Sequence, residues 1–125
     1  MNLVDSSAWL EYFANTPHAD YFEKPIEDIE NLLVPTVCIL EVFKTVIRQK
    51  DENSALQAAA LMEQGTVVDL NTAIALSAAK LGFEYKLPLA DSIILATARA
   101  YDAILWTQDA DFKGIDGVKF FPKKK

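Results

Sequence analysis

Apolar positions along the chain fall into two alternating patterns: short continuous runs, and longer stretches in which they recur with helical spacing. Continuous runs of this kind fit strands buried on both faces, and the spaced stretches fit helices with one covered face. Met1 to Val4 predicts a first strand, after which Asp5-Ser6-Ser7 supplies N-cap chemistry for a helix carrying Trp9, Leu10, Tyr12 and Phe13. An acidic helical stretch follows near Asp20 to Glu30, then a second strand at Leu32-Leu33-Val34. Pro35-Thr36 opens a helix from about Val37 to Lys50, with Thr36 as its expected cap, and another helix spans Glu52 to Gln64. Gly65 ends that helix, and Thr66 to Leu70 forms strand three. Asn71 caps an alanine-rich helix through Ala75, Ala78, Ala79 and Phe83 to about Tyr85. Beyond the break at Pro88, Ala90 to Tyr101 places Ile93, Ile94, Ala98 and Tyr101 on one helical face. Ile104-Leu105-Trp106 is strand four and Val118 to Phe121 strand five. Strands separated by helices predict an α/β fold, three-layered α/β/α, with a mostly parallel central sheet of about five strands.

At 125 residues and 51% hydrophobic, the chain suits one domain over residues 1–125. No apolar run reaches the roughly 18 residues that span a bilayer, and Met1-Asn2-Leu3-Val4-Asp5 has neither a basic n-region nor a cleavage site. The expectation is a cytoplasmic protein without membrane contact. Cys38 is the only cysteine, which excludes an intramolecular disulfide and a CxxC zinc site. His18, the only histidine, lies in the polar stretch Asn15-Thr16-Pro17-His18-Ala19-Asp20 and reads as a surface loop residue.

Charge bears on the choice of partner. A net charge of −6 is unusual for a protein that binds phosphate backbones, although assigning four carboxylates to a metal site leaves only −2 elsewhere. Lys44, Arg48, Lys50, Arg99 and the tail Lys123-Lys124-Lys125 are the candidate phosphate contacts. Tyr12, Phe13, Tyr21 and Phe22 are candidates for an interface if they are not core.

Open parallel sheets bind ligands beyond the carboxyl ends of their strands, where strand order reverses. Asp5 ends strand one, and Asp109 follows strand four in Leu105-Trp106-Thr107-Gln108-Asp109. Glu41 falls in the second turn of the helix after strand two, and Asp91 in the first turn of the helix before strand four. If strands one and four are neighbours, these four acids meet. Like charges at 4 Å repel by about 4 kcal/mol per pair at an effective dielectric near 20, so a full set of ionised carboxylates needs a cation. Oxygen donors without imidazole or thiolate select hard ions, Mg²⁺ or Mn²⁺. Such a centre suits phosphodiester hydrolysis without a histidine base.

Each acid also has an ordinary structural role open to it. Asp5 can be a plain N-cap, and Asp91 a helix-start residue favoured by the macrodipole. Glu41 shares a helical stripe with Lys44, Thr45 and Arg48, but it is embedded in Val37-Cys38-Ile39-Leu40-Glu41-Val42-Phe43, where an unpaired acid is costly. Asp109 and Asp111 can be turn residues before Phe112.

The ordered set Leu3-Val4-Asp5-Ser6-Ser7, Glu41 after Val34-Pro35-Thr36, Leu89-Ala90-Asp91-Ser92-Ile93-Ile94-Leu95-Ala96-Thr97-Ala98, and Thr107-Gln108-Asp109-Ala110-Asp111-Phe112 resembles the PIN domain, specifically VapC-type toxins of toxin–antitoxin pairs. The resemblance spans nearly the whole chain. It implies a Mg²⁺- or Mn²⁺-dependent endoribonuclease acting on RNA, often a homodimer, restrained by a cognate antitoxin whose C-terminal segment covers the site. Asp5, Glu41, Asp91 and Asp109 fall on the family's acidic quartet, and Ser6 and Thr107 where small hydroxyl residues support it. Asp109 is preferred because the family places its acid two residues after the threonine; Asp111 is the fallback.

Two other functions fit parts of the pattern. A receiver-like signalling domain would use Asp69 as phosphoacceptor with Thr107 as the hydroxyl, but it needs a second acid beside Asp5 and a lysine after strand five, where Phe120-Phe121-Pro122 stands. A catalytically silent partner would present the same acidic pocket to a basic peptide.

Overall fold

Val4 pairs with Trp106 and Leu3 with both Leu33 and Leu105, so the first strand lies at the centre of a sheet rather than at its edge. A computed structural model describes residues 1–123. In chain order the elements are β1 (Asn2–Val4), α1 (Ser6–Ala14), α2 (Asp20–Glu27), β2 (Leu32–Pro35), α3 (Thr36–Gln49), α4 (Glu52–Met62), β3 (Thr66–Val68), α5 (Thr72–Tyr85), α6 (Leu89–Ala100), β4 (Ile104–Thr107) and β5 (Val118–Phe120), with 3-10 turns at Pro17–Ala19, Ile29–Asn31 and Ala110–Phe112. All strand pairs are parallel, in the order β3-β2-β1-β4-β5. This is the expected α/β sheet with six helices. No described helix is long and apolar enough to cross a membrane.

Consecutive residues of β1 and β2 are buried, Leu3, Val4, Leu32, Leu33 and Val34 all at or below 1% exposure, so both faces of the central strands are covered. Trp9, Phe22, Met62, Ile94, Leu95 and Phe112 complete the core from the helices and the final turn. Helices α5 and α6 form a close hairpin. A Cβ on Gly82 would lie 2.5 Å from the Ser92 hydroxyl, so only glycine permits that approach.

Capping follows the sequence in most places. Asp5 accepts from the Ala8 N–H and Asn71 from the Ile74 N–H. Asn15 and Lys86, both in the left-handed region, end α1 and α5. Thr36 is not a cap: Pro35 takes that position without a side-chain bond, and Thr36 is the first helical residue. The acidic helix stops at Glu27 because Asp28 leaves helical geometry and binds the Asn31 side-chain and backbone N–H groups. Strand β3 ends at Val68, where its partner β2 ends at Pro35.

His18 corrects the sequence expectation: it is 5% exposed. The turn at Pro17–Ala19 folds onto α1 and α2, and the imidazole packs edge-on to Tyr21 and Phe22 at centroid distances of 5.0 and 6.0 Å. Phe22 is core, Tyr12 and Phe13 are half-buried against Trp9, and of those four aromatics Tyr21 alone is exposed.

Candidate functional site

Strand connections run from β1 outward through β2 to β3, and then restart at β4 on the other side of β1. The reversal therefore lies between β1 and β4, the crevice in which open α/β sheets bind ligands. Register sets the next step. Val4 is level with Trp106, and the Asp5 N–H continues the ladder to the Trp106 carbonyl at 3.1 Å, which brings Asp5 level with Thr107.

Asp5 is 2% exposed, and both of its carboxyl oxygens are engaged. Oδ1 accepts from the Ser7 hydroxyl at 2.8 Å and the Ala8 N–H at 3.0 Å, and Oδ2 accepts from the Thr107 hydroxyl at 2.6 Å. The N-cap role is thus real and coexists with a place in the crevice. Burial pushes its pKa from 3.8 up to about 6, against the pull of these three donors and with a smaller push from Asp109.

Glu41 approaches from α3. Its Oε1 accepts from the Ser6 hydroxyl at 2.6 Å, a bond joining the first turn of α1 to the second turn of α3. Lys44, a possible salt-bridge partner in the sequence, instead lines an apolar groove with Ile39, Leu40, Phe43 and Ile47. Asp91 approaches from the first turn of α6 and is half-buried. Burial first, then Asp109, Asp111 and Asp5, push its pKa from 3.8 up to about 8. Asp109 caps the final 3-10 turn: its N–H donates to the Thr107 hydroxyl at 2.9 Å, and its Oδ1 accepts from the Asp111 N–H at 2.9 Å.

Asp5, Ser6, Ser7, Glu41, Thr45, Asp91 and Asp109, with Leu10 and Ile94, line a cavity of about 190 Å³, and no Lys, Arg or His is among them. Asp91, Asp109 and Asp111 each present a carboxyl oxygen within 4.8 Å of the others. The four acids of the sequence quartet share this cavity, and the fallback Asp111 stands with two of them on its exposed side. Ser7 and Thr45 were not singled out from the sequence as site residues. Ser7 had a local signal, a hydroxyl two residues after an acid, whereas Thr45 is visible only once α3 is docked.

The donor set fits a hard divalent cation. Its oxygens converge from four elements with no cationic side chain between them, and burial first, with like-charge repulsion added, raises the pKa of both Asp5 and Asp91 when nothing else neutralises the site. Cys38 lies beneath, fully buried, and burial pushes its thiol far up, so it offers no thiolate. Asp69, the phosphoacceptor of a receiver-like site, follows edge strand β3, separated from Thr107 by β2 and β1.

Comparison with known proteins agrees with this architecture. No curated protein sequence matches the chain. A toxin–antitoxin complex from Klebsiella pneumoniae contains a chain 25% identical, with a TM-score of 0.83 over 98% of this chain and 100% of that one. The VapC20 toxin of Mycobacterium tuberculosis, described as cleaving the sarcin-ricin loop, is 16% identical with a TM-score of 0.76, covering 93% of this chain and 95% of that one. DNA-bound VapBC from Salmonella typhimurium is 14% identical with a TM-score of 0.77, covering 98% of both chains. The PIN domain family model matches residues 3–118. With that match spanning the β1–β4 crevice and all four acids around it, the chain belongs to the PIN domain family.

Proposed function

We propose that this protein is the toxin of a toxin–antitoxin pair and a Mg²⁺- or Mn²⁺-dependent endoribonuclease, built as a single PIN domain. The observation that carries this is that Asp91 and Asp109 share with Asp5 and Glu41 a cavity lined by no basic residue, with Asp111 on its exposed side presenting a carboxyl oxygen within 4.8 Å of those of Asp91 and Asp109. Asp5, Glu41, Asp91 and Asp109 would hold the metal, with Asp111 as an outer contributor. When bound, a divalent cation supplies Lewis-acid polarisation of the phosphate and acidification of the attacking water.

The chain's own residues prepare that chemistry. Thr107 and Ser7 lock the Asp5 carboxylate in one orientation, and Ser6 does the same for Glu41. Fixed orientation lowers the reorganisation needed as charge develops on the phosphate. Asp91 gives up its proton when positive charge enters, which makes metal binding release protons. Leu10 and Ile94 form the apolar side of the cavity.

An antitoxin segment has a place beside this cavity. Leu10, Phe13, Val46, Ala58 and Leu61 line an apolar groove between α1, α3 and α4, and Leu10 borders both the groove and the acidic cavity. Leu76, Phe83 and Leu89 are exposed on α5 and α6, with Phe83 at 89%, and suit a homodimer contact. RNA as substrate implies a cytoplasmic protein. Lys44, Arg48, Lys50 and Arg99 are exposed, with none lining the acidic cavity; Lys124 and Lys125 lie outside the described residues.

The deciding experiment incubates structured RNAs with the purified protein and Mn²⁺, beside an Asp91→Asn variant. Cleavage by the parent alone is expected. Mn²⁺ binding with every RNA left intact would instead support a silent partner whose acidic pocket receives a basic peptide.

A further inference from the structure

Gln108 stands between Thr107 and Asp109 and is 5% exposed. Its Nε2 donates to the Ser7 carbonyl at 3.2 Å, and its Oε1 is buried without a partner among the described residues. The same side chain, after the Thr16 hydroxyl, helps hold the Glu11 carboxyl below its ordinary range. A residue that merely filled this space would be apolar, because a buried amide with an orphaned acceptor is unfavourable there. Its presence points to use of the donor.

That donor acts at a sensitive place. Ser7 belongs to the turn capped by Asp5, and its hydroxyl donates to Asp5. On the other side, the Asp109 backbone is tethered to the Thr107 hydroxyl, which donates to Asp5. The Thr107 bond joins the two acids at one point, and the buried Phe112 anchors the far end of the turn that Asp109 caps. The amide of Gln108 adds a second attachment, from that loop to the backbone of α1. That attachment holds the near end of the turn, next to Asp109, against α1.

We propose that Gln108 is a positioning residue, whose side-chain amide ties the Asp109 loop to the first turn of α1 and sets the spacing of Asp109 from Asp5 across the pocket. The proposal rests on the metal-dependent reading of that pocket.

The test compares the parent with Gln108→Met, which keeps length and burial but has no donor. The metal-free melting temperature should stay within about 4 °C of the parent. Mn²⁺ affinity, measured by titration calorimetry, should fall about tenfold, as for other residues that orient metal ligands. In RNA cleavage kcat should fall about tenfold with KM within about twofold, a split that general loss of stability does not produce. Glu11→Gln leaves the Ser7 bond in place and should bind Mn²⁺ within about twofold of the parent.

Equal Mn²⁺ affinity in Gln108→Met and the parent overturns the proposal while leaving the nuclease reading standing. A parent that binds no Mn²⁺ sinks both. Should Gln108→Met fail to fold, hydrogen exchange of the parent's Gln108 side-chain amide decides the matter: slow exchange supports the tether, and exchange as fast as in free glutamine removes it.

Discussion

The Thr107 hydroxyl donates to Asp5 Oδ2 at 2.6 Å while accepting the N–H of Asp109, so one side chain joins the carboxyl ends of two neighbouring strands to the turn that follows. Thr107 is fully buried, and its bond to Asp5 spans 102 positions of sequence.

Thr107→Val keeps the shape and removes that link. Asp5 loses a donor that opposes the effect of burial, so its pKa should rise further above about 6. The buried oxygen left unpaired should cost about 1–3 kcal/mol in stability, and Mn²⁺ affinity should drop by about 10- to 100-fold. Thr107→Ser should restore most of both. Denaturant melts and metal titrations of the three proteins measure this.

Stability of the metal-free protein should fall as pH rises from 4 to 8. A carboxyl with a raised pKa binds its proton more tightly in the folded state, so the folded form gains relative to the unfolded one at low pH and loses that gain as the group ionises. For Asp5 the loss runs from about pH 3.8 to 6 and amounts to about 3 kcal/mol, at about 1.4 kcal/mol per pH unit. For Asp91 it extends to about pH 8. Urea unfolding at pH 4, 6 and 8 should show a shallower decline in Asp5→Asn and Asp91→Asn. Saturating Mn²⁺ should flatten or reverse the slope, because binding requires the ionised forms.

Asp109 and Asp111 should separate by degree. Asp109 lines the cavity and is tethered to Thr107, whereas Asp111 is exposed and reaches the cluster from outside. Asp109→Asn should abolish the Mn²⁺-induced rise in melting temperature, and Asp111→Asn should only reduce it. A larger loss in Asp111→Asn would exchange their roles.

His18 is buried with neither ring nitrogen hydrogen-bonded among the described residues. His18→Phe keeps an aromatic ring against Tyr21 and Phe22 and removes two unpartnered polar atoms. Replacing an unsatisfied group by an apolar one of similar shape is near neutral or stabilising, so unfolding free energy should change by less than about 1 kcal/mol or rise. A strong loss in a thermal melt would show that the nitrogens make bonds absent from this geometry.

What the sequence determined alone were properties carried by neighbouring residues: the runs Leu32-Leu33-Val34 and Ile104-Leu105-Trp106 as strands, the caps Asp5 and Asn71, and the placement of acids just beyond strand ends or in first and second helical turns. Those are set by backbone propensity, side-chain period and local hydrogen bonding. Tertiary structure decided everything that depends on which elements lie side by side. The pairing of β1 with β4 brings Asp5 to Thr107, the docking of α3 brings Glu41 to Ser6, and the folding of Pro17–Ala19 onto α2 buries His18. The raised pKa values of Asp5 and Asp91 arise from that same convergence, because desolvation and like-charge repulsion act through space and are indifferent to distance along the chain.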